Sequence, residues 1–138
     1  KCTSLAKRAF VMVLDLNMNV EIVGCPIVRE SDGLAKSSRN TYLSPAERKA
    51  ALVLSKSIFA GKQLAEAGET DAAKLVQAMT KIIEAEPLAK IDYVKVVDLM
   101  TMQQIPKLDR PFLAAIAVYI GKTRLIDNFM MQAGGTAE

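Results

Sequence analysis

The segment Phe112-Leu-Ala-Ala-Ile-Ala-Val-Tyr-Ile120 constrains this chain more than any other. Its nine consecutive apolar residues are about half the ~20 that a membrane-crossing helix requires, so it is not a bilayer span. Its length and its Val/Ile content suit a buried central strand. Gly121-Lys122 then reads as a two-residue turn, and Thr123 to Asn128 returns as the second arm of a hairpin. Upstream, Ile91 to Asp98 (I-D-Y-V-K-V-V-D) reads as a third strand, joined to the hairpin by a proline-containing connector from Met102 to Pro111.

Two helices precede that sheet. Ser44-Pro45-Ala46-Glu47 combines a serine N-cap, a proline at the first helical position and a glutamate placed to close a capping box. Ala51, Leu54, Ile58, Gly61 and Ala65 follow three and four apart, Leu52 and Phe59 widen the stripe, and Gly68 ends the helix. Thr70 or Asp71 caps the next one, whose apolar face is Ala72, Leu75, Val76, Met79, Ile82 and Ile83, and Pro87 stops it. The expected class is α+β: two helices packed on a small three-stranded antiparallel sheet.

The first thirty residues have a different character. Leu5, Ala9, Met12, Val13 and Leu16 share one face of a helix spanning residues 5–16, which Asn17-Met18-Asn19 breaks. Val20 to Val23 reads as a short strand, followed by a bend at Gly24-Cys25-Pro26 and a second extended piece, Ile27 to Arg29. A helix followed by a β-branched strand is the closing unit of an α/β sheet, and nothing in this chain lies upstream to pair with it. The expectation is an open apolar edge and a homo-oligomer that covers it.

Composition removes several functions. There is no histidine among the 138 residues, which excludes Ser-His-Asp and Cys-His catalysis and all His-bearing zinc sites. The two cysteines, Cys2 and Cys25, make neither a four-thiolate metal site nor a disulfide scaffold. A reducing cytoplasm is the expected compartment, and Cys25 reads as a buried structural thiol. The residues from Lys1 onward lack a secretory pattern. A net charge of +3 with 5% aromatic residues supplies neither the basic stripe nor the stacking surface of a nucleic-acid binder. Asp92 and Asp98, evenly separated, are expected on one side of their strand, facing solvent.

Glu30 to Asn40 (E-S-D-G-L-A-K-S-S-R-N) has no period and reads as a loop. Gly33 lets the backbone turn, Ser37 and Ser38 offer hydroxyl donors, and Lys36 and Arg39 flank them with a point charge and a planar fork. A polyphosphate asks for that set. A solvated surface loop is made of the same residue types, and because the segment matches no specific phosphate-loop pattern such as Walker A, spacing alone favours that reading.

The longer stretch from Cys25 to Ala51, C-P-I-V-R-E-S-D-G-L-A-K-S-S-R-N-T-Y-L-S-P-A-E-R-K-A-A, closely resembles the signature of the pantothenate synthetase (pantoate–β-alanine ligase) family. The segments I-D-Y-V-K-V-V-D and A-V-Y-I-G-K-T-R-L-I-D-N fit the same family in the same order, so that the likeness runs from Met12 to Phe129. The resemblance implies an ATP-dependent, AMP-forming ligase of the nucleotidyltransferase group that activates pantoate as pantoyl adenylate and condenses it with β-alanine. ATP would enter with Mg²⁺. It also implies a division of the chain: residues 1–30 as the last helix and strand of the family's Rossmann-like N-terminal domain, 31–43 as the ATP-phosphate loop, 44–130 as the C-terminal lid domain, and 131–138 as a flexible tail.

Carried over position by position, Ser37, Ser38 and Arg39 hold the ATP phosphates, with Arg39 the catalytic residue that offsets charge on departing pyrophosphate. Position 36 belongs to the same loop, although it is Lys here where the family usually has Met or Leu. Val28 lies where the family's backbone meets adenine. Lys1 aligns with a phosphate-binding lysine whose neighbours, Cys2-Thr3-Ser4, differ from the family's Asp-Tyr-Gln. With most of the N-terminal domain absent, the fragment is expected to be inactive on its own. A non-enzymatic binding or assembly module that keeps this fold is the alternative.

Overall fold

Ser44 starts the helical layer by the chemistry its neighbours supply. Its hydroxyl accepts from the Glu47 N–H at 3.2 Å and its own N–H donates to Glu47 Oε1 at 3.4 Å, with Pro45 at the first helical position. The computed structural model describes residues 3–23 and 25–132. In chain order its elements are α1 (Thr3–Asp15), a 3-10 turn (Ser38–Tyr42), α2 (Pro45–Ala50), α3 (Leu52–Glu66), α4 (Ala72–Glu84), β1 (Ala89–Asp98), β2 (Phe112–Ile120) and β3 (Thr123–Met131).

The single helix expected from Ser44 to Gly68 is two helices. Ala50 and Ala51 are both buried, and at that point the Leu54 N–H bonds to the Ala51 carbonyl, three residues back. The tighter turn breaks the regular ladder and separates α2 from α3. The stripe Ala51, Leu54, Ile58, Gly61 and Ala65 is buried as expected. Phe59 is not part of it, being 45% exposed. Asp71 caps α4 by accepting from the Ala73 N–H at 2.9 Å, and Ala72, Leu75, Met79 and Ile83 form its buried face.

β1, β2 and β3 form an antiparallel sheet in that spatial order, with β2 in the middle. α3 packs on α4 and β3, and α4 packs on β1. Phe112, Ala114, Ile116, Val118 and Ile120 of β2 meet Leu54, Ile58, Leu75, Met79 and Ile83 in the main core. Fully burying each large aliphatic side chain there contributes about 1.5–3 kcal/mol. The opposite face carries a smaller cluster of Val97, Leu99 and Leu113, so β2 is buried on both sides. The β2–β3 turn needs Gly121, which sits at φ +60°, and a side chain there would run into the Glu47 carboxylate.

Three strand expectations change. β3 continues to Met131, whose side chain is 1% exposed, so residue 131 belongs to the sheet and not to a tail; residues 133–138 lie outside the described residues. β1 is interrupted by a bulge between Ile91 and Tyr93. The extra residue resets the alternation, and Asp92 and Asp98 do not share a side. Val20–Val23 is not a strand. Val20 and Val23 are exposed, and no described strand lies beside them to form a ladder; β-branched residues make a strand only where one is available. α1 ends as expected, with Asn17 at φ +48° and the Met18 N–H closing back on the Val13 carbonyl at 3.0 Å. No helix among the described residues is long and apolar enough to cross a membrane.

Candidate functional site

The stretch expected to be an irregular loop is a small hairpin followed by a 3-10 turn. Arg29 and Ala35 pair as an antiparallel bridge, the Lys36 N–H bonds to the Val28 carbonyl at 2.8 Å, and the Glu30 N–H bonds to the Leu34 carbonyl at 2.8 Å. Gly33 closes the tip at φ +95°, a left-handed conformation that favours glycine. Asp32 helps to shape the tip by accepting from the Leu34 N–H, and its carboxylate is ion-paired with Arg48 of α2 at 2.9 Å. That guanidinium holds the Asp32 carboxyl below its ordinary pKa. Leu34 is buried in the main core and anchors the hairpin from beneath.

A second anchor is charged. Arg29 meets Asp127 of β3 through two bonds, Nη1 to Oδ2 at 2.8 Å and Nη2 to Oδ1 at 3.0 Å. The same Nη1 donates to the Gly33 carbonyl at 2.9 Å. The Arg29 guanidinium also lies 5.1 Å from the centroid of the Phe59 ring, which accounts for a large aromatic outside the core. Asp127 is fully buried at its carboxylate and accepts in addition from the Asn128 N–H at 2.8 Å.

Beyond the stem, Ser37 is extended (φ −152°, ψ 146°) and accepts from the Arg39 N–H at 3.2 Å, which starts the 3-10 turn. Asn40 donates to the Ala35 carbonyl and Thr41 to the Ser38 carbonyl. Ser37, Ser38 and Arg39 are exposed and Lys36 is exposed as well. The Arg39 guanidinium makes a long 3.4 Å contact with the Arg124 carbonyl of β3. Among the described residues the Ser37 oxygen is engaged as an acceptor in that cap, which leaves its O–H able to donate. Two hydroxyls, an ammonium and a guanidinium within four residues form an outward-facing donor surface suited to phosphate oxygens.

The structure therefore brings together Val28, Lys36, Ser37, Ser38 and Arg39, with the carbonyl of Val28 bonded to the Lys36 N–H. Lys1 lies outside the described residues. Cys25 is exposed rather than buried, because Cys25, Pro26 and Val28 run over the surface. Sequence reasoning missed Arg29 and Asp127. One signal was available: Asp127 shares the inward register of β3 with Leu125, Phe129 and Met131, and a carboxylate on an apolar face demands a cation.

Comparison with known proteins gives a consistent result. The family profile for pantoate-beta-alanine ligase matches residues 8–130. A pantothenate synthetase of Ruminiclostridium cellulolyticum is 65% identical over 118 residues, covering 86% of this chain and 42% of that protein. One from Clostridium novyi is 56% identical over 123 residues, covering 89% and 44%. Among solved structures, a pantothenate synthetase from Thermus thermophilus superposes with a TM-score of 0.81 at 37% identity, over 89% of this chain and 44% of that one. A pantoate-beta-alanine ligase from Francisella tularensis, complexed with beta-gamma ATP and beta-alanine, gives 0.54 at 26% identity, over 93% and 40%. The chain thus spans less than half the length of the relatives it matches.

Proposed function

Because the chain belongs to the pantoate–β-alanine ligase family, we propose that its basic turn is the phosphate-handling side of an ATP-dependent, AMP-forming condensation of pantoate with β-alanine. The observation that carries this reading is the exposed set Lys36-Ser37-Ser38-Arg39, presented on a hairpin anchored at both Leu34 and Arg29.

In the proposed reaction the pantoate carboxylate attacks the α-phosphorus of Mg²⁺-bound ATP, and pyrophosphate leaves. The β-alanine amine then attacks the acyl carbon of pantoyl adenylate, AMP leaves, and the amine's proton is lost to solvent. Arg39 is the residue we assign to the departing pyrophosphate, where a planar guanidinium takes two oxygens as charge builds. Ser37 and Ser38 donate to the same phosphates, and Lys36 adds a point charge. The backbone near Val28 lies along the adenine, and Lys1 is assigned to phosphate. In this scheme residues 1–30 belong to a nucleotide-binding unit, 31–43 form the phosphate loop, and the helices and sheet that follow act as a lid.

Adenylation needs both reactants held in one geometry, and the relatives' remaining length is assigned the pantoate-binding wall. The expected behaviour of this chain alone is weak, Mg²⁺-dependent nucleotide binding without release of AMP. Titration with ATP tests it. Arg39→Ala should weaken binding by about 1.5–3 kcal/mol, the scale of a charged hydrogen bond, and identical curves would remove the turn from the site. We further propose a cytoplasmic protein that self-associates through the exposed Phe10, Met12, Leu14 and Leu16 of and beside α1. Light scattering across a concentration range checks the association.

A further inference from the structure

We infer that Arg29 and Asp127 are positioning residues for the basic turn, clamping its hairpin stem to β3 so that Lys36 to Arg39 are held at a fixed place and angle. The inference rests on the phosphate reading above and extends it to two residues that touch no phosphate themselves.

Three contacts converge on one guanidinium. Arg29 takes both oxygens of Asp127, and its Nη1 also holds the Gly33 carbonyl on the opposite side of the hairpin tip. One arm of the stem and the hairpin tip are thereby referred to β3. The Phe59 ring, 5.1 Å from the guanidinium centre, restrains the plane. The far end of the turn refers to the same strand, because Arg39 meets the Arg124 carbonyl. The turn begins directly where the stem ends, at the bond from the Lys36 N–H to the Val28 carbonyl.

Stability alone is a poor reason for this pair. Burying a carboxylate and a guanidinium costs nearly as much as their attraction returns, and an apolar pair of similar volume would serve as well. What an apolar pair lacks is direction. A bidentate fork fixes two distances and a plane at once, and lysine, a single point charge, does not replace it. A misplacement of about 1 Å in groups that handle a reacting phosphate is enough to change rates and affinities strongly.

The test uses the full chain with Mg²⁺ and ATP as probe, read by titration and by amide hydrogen exchange. Asp127→Asn should weaken ATP binding roughly tenfold and speed exchange at Lys36, Arg39 and Asn40, while the amides of Phe112 to Ile120 keep their rates. Arg29→Lys should do the same despite keeping its charge. Ile83→Val, in the core between α4 and the sheet, is the control: it lowers thermal stability and leaves ATP binding and turn exchange unchanged. The clamp is overturned if Asp127→Asn binds ATP like wild type while Arg39→Ala still loses affinity. It is equally overturned if Ile83→Val weakens binding as far at the same loss of melting temperature. If Arg39→Ala leaves affinity unchanged, the phosphate reading itself fails, and the clamp falls with it.

Discussion

Arg124 of β3 reaches past the central strand to hold Asp92 of β1, with Nη2 2.9 Å from Oδ2 and Nε 2.9 Å from the same oxygen. Asp92 sits at the β1 bulge, between the two residues where the register with β2 shifts. The Arg124 guanidinium also lies 5.8 Å from the centre of the Tyr93 ring. Its hydrogen bond to Asp92 raises the already high Arg124 pKa, so the group is a permanent cation beside the basic turn.

Both partners of this pair remain more than a third exposed at the side chain. Asp92→Asn is therefore expected to lower stability by less than about 1 kcal/mol, with the difference shrinking in high salt. Denaturant melts at low and at molar salt check both statements.

Gly61 lets α3 lie close against Met79 of α4 and Phe129 of β3. A Cβ there would come within 2.7 Å of Met79 Sδ and 3.3 Å of Phe129 Cε1. Gly61→Val should cost about 1–3 kcal/mol by overpacking, read as a lower urea midpoint with an unchanged slope.

Ser44→Ala removes the side-chain half of the capping box at the start of α2. The expected loss is about 0.5–2 kcal/mol. Glu47 also borders the β2–β3 turn, so Glu47→Ala should loosen exchange at Gly121 and Lys122 as well as at the helix start. A change confined to α2 would contradict that link.

Asp98 accepts from the N–H groups of Thr101 and Met100 at 2.9 and 2.7 Å. The Thr101 bond is the main cause of a pKa below the ordinary aspartate value, with Met100 and the Arg110 charge assisting. A depressed folded-state pKa contributes stability that is present above about pH 4 and lost as pH falls through the lower folded value. The stability gap between wild type and Asp98→Asn should therefore be full at neutral pH and close below about pH 4. A gap that widens in acid would reverse the assigned sign.

Local chemistry was legible in the sequence wherever one segment determines its own state. The Ser44 cap, the Phe112–Ile120 strand and the Gly121-Lys122 turn all lie where pattern and turn residues place them. Ser37, Ser38 and Arg39 are exposed together because they are contiguous. What was not legible depends on partners distant in the chain. Val20–Val23 has strand composition but no described neighbour to bond with. The break at Ala51 is a tighter turn, with the Leu54 N–H on the Ala51 carbonyl, that the apolar stripe does not signal, and the bulge at Asp92 inverts an alternation that spacing alone predicts. The pairing of Arg29 was not legible because nothing near it in sequence reveals a buried carboxylate on β3.

The span of the Arg29–Asp127 contact has a consequence for the order in which the molecule assembles. Its partners are 98 positions apart, whereas β2 and β3 are joined by a two-residue turn. Short-range pairings close first, and contacts of long sequence separation are rewarded only after the intervening chain has been ordered. The sheet and α4 can thus be complete before the hairpin stem finds β3. The basic turn is then expected to set after the sheet and to open before it. Under the proposed phosphate reading, a nucleotide bound across the turn would favour the docked stem by mass action, so the ligand would help to complete the surface that receives it.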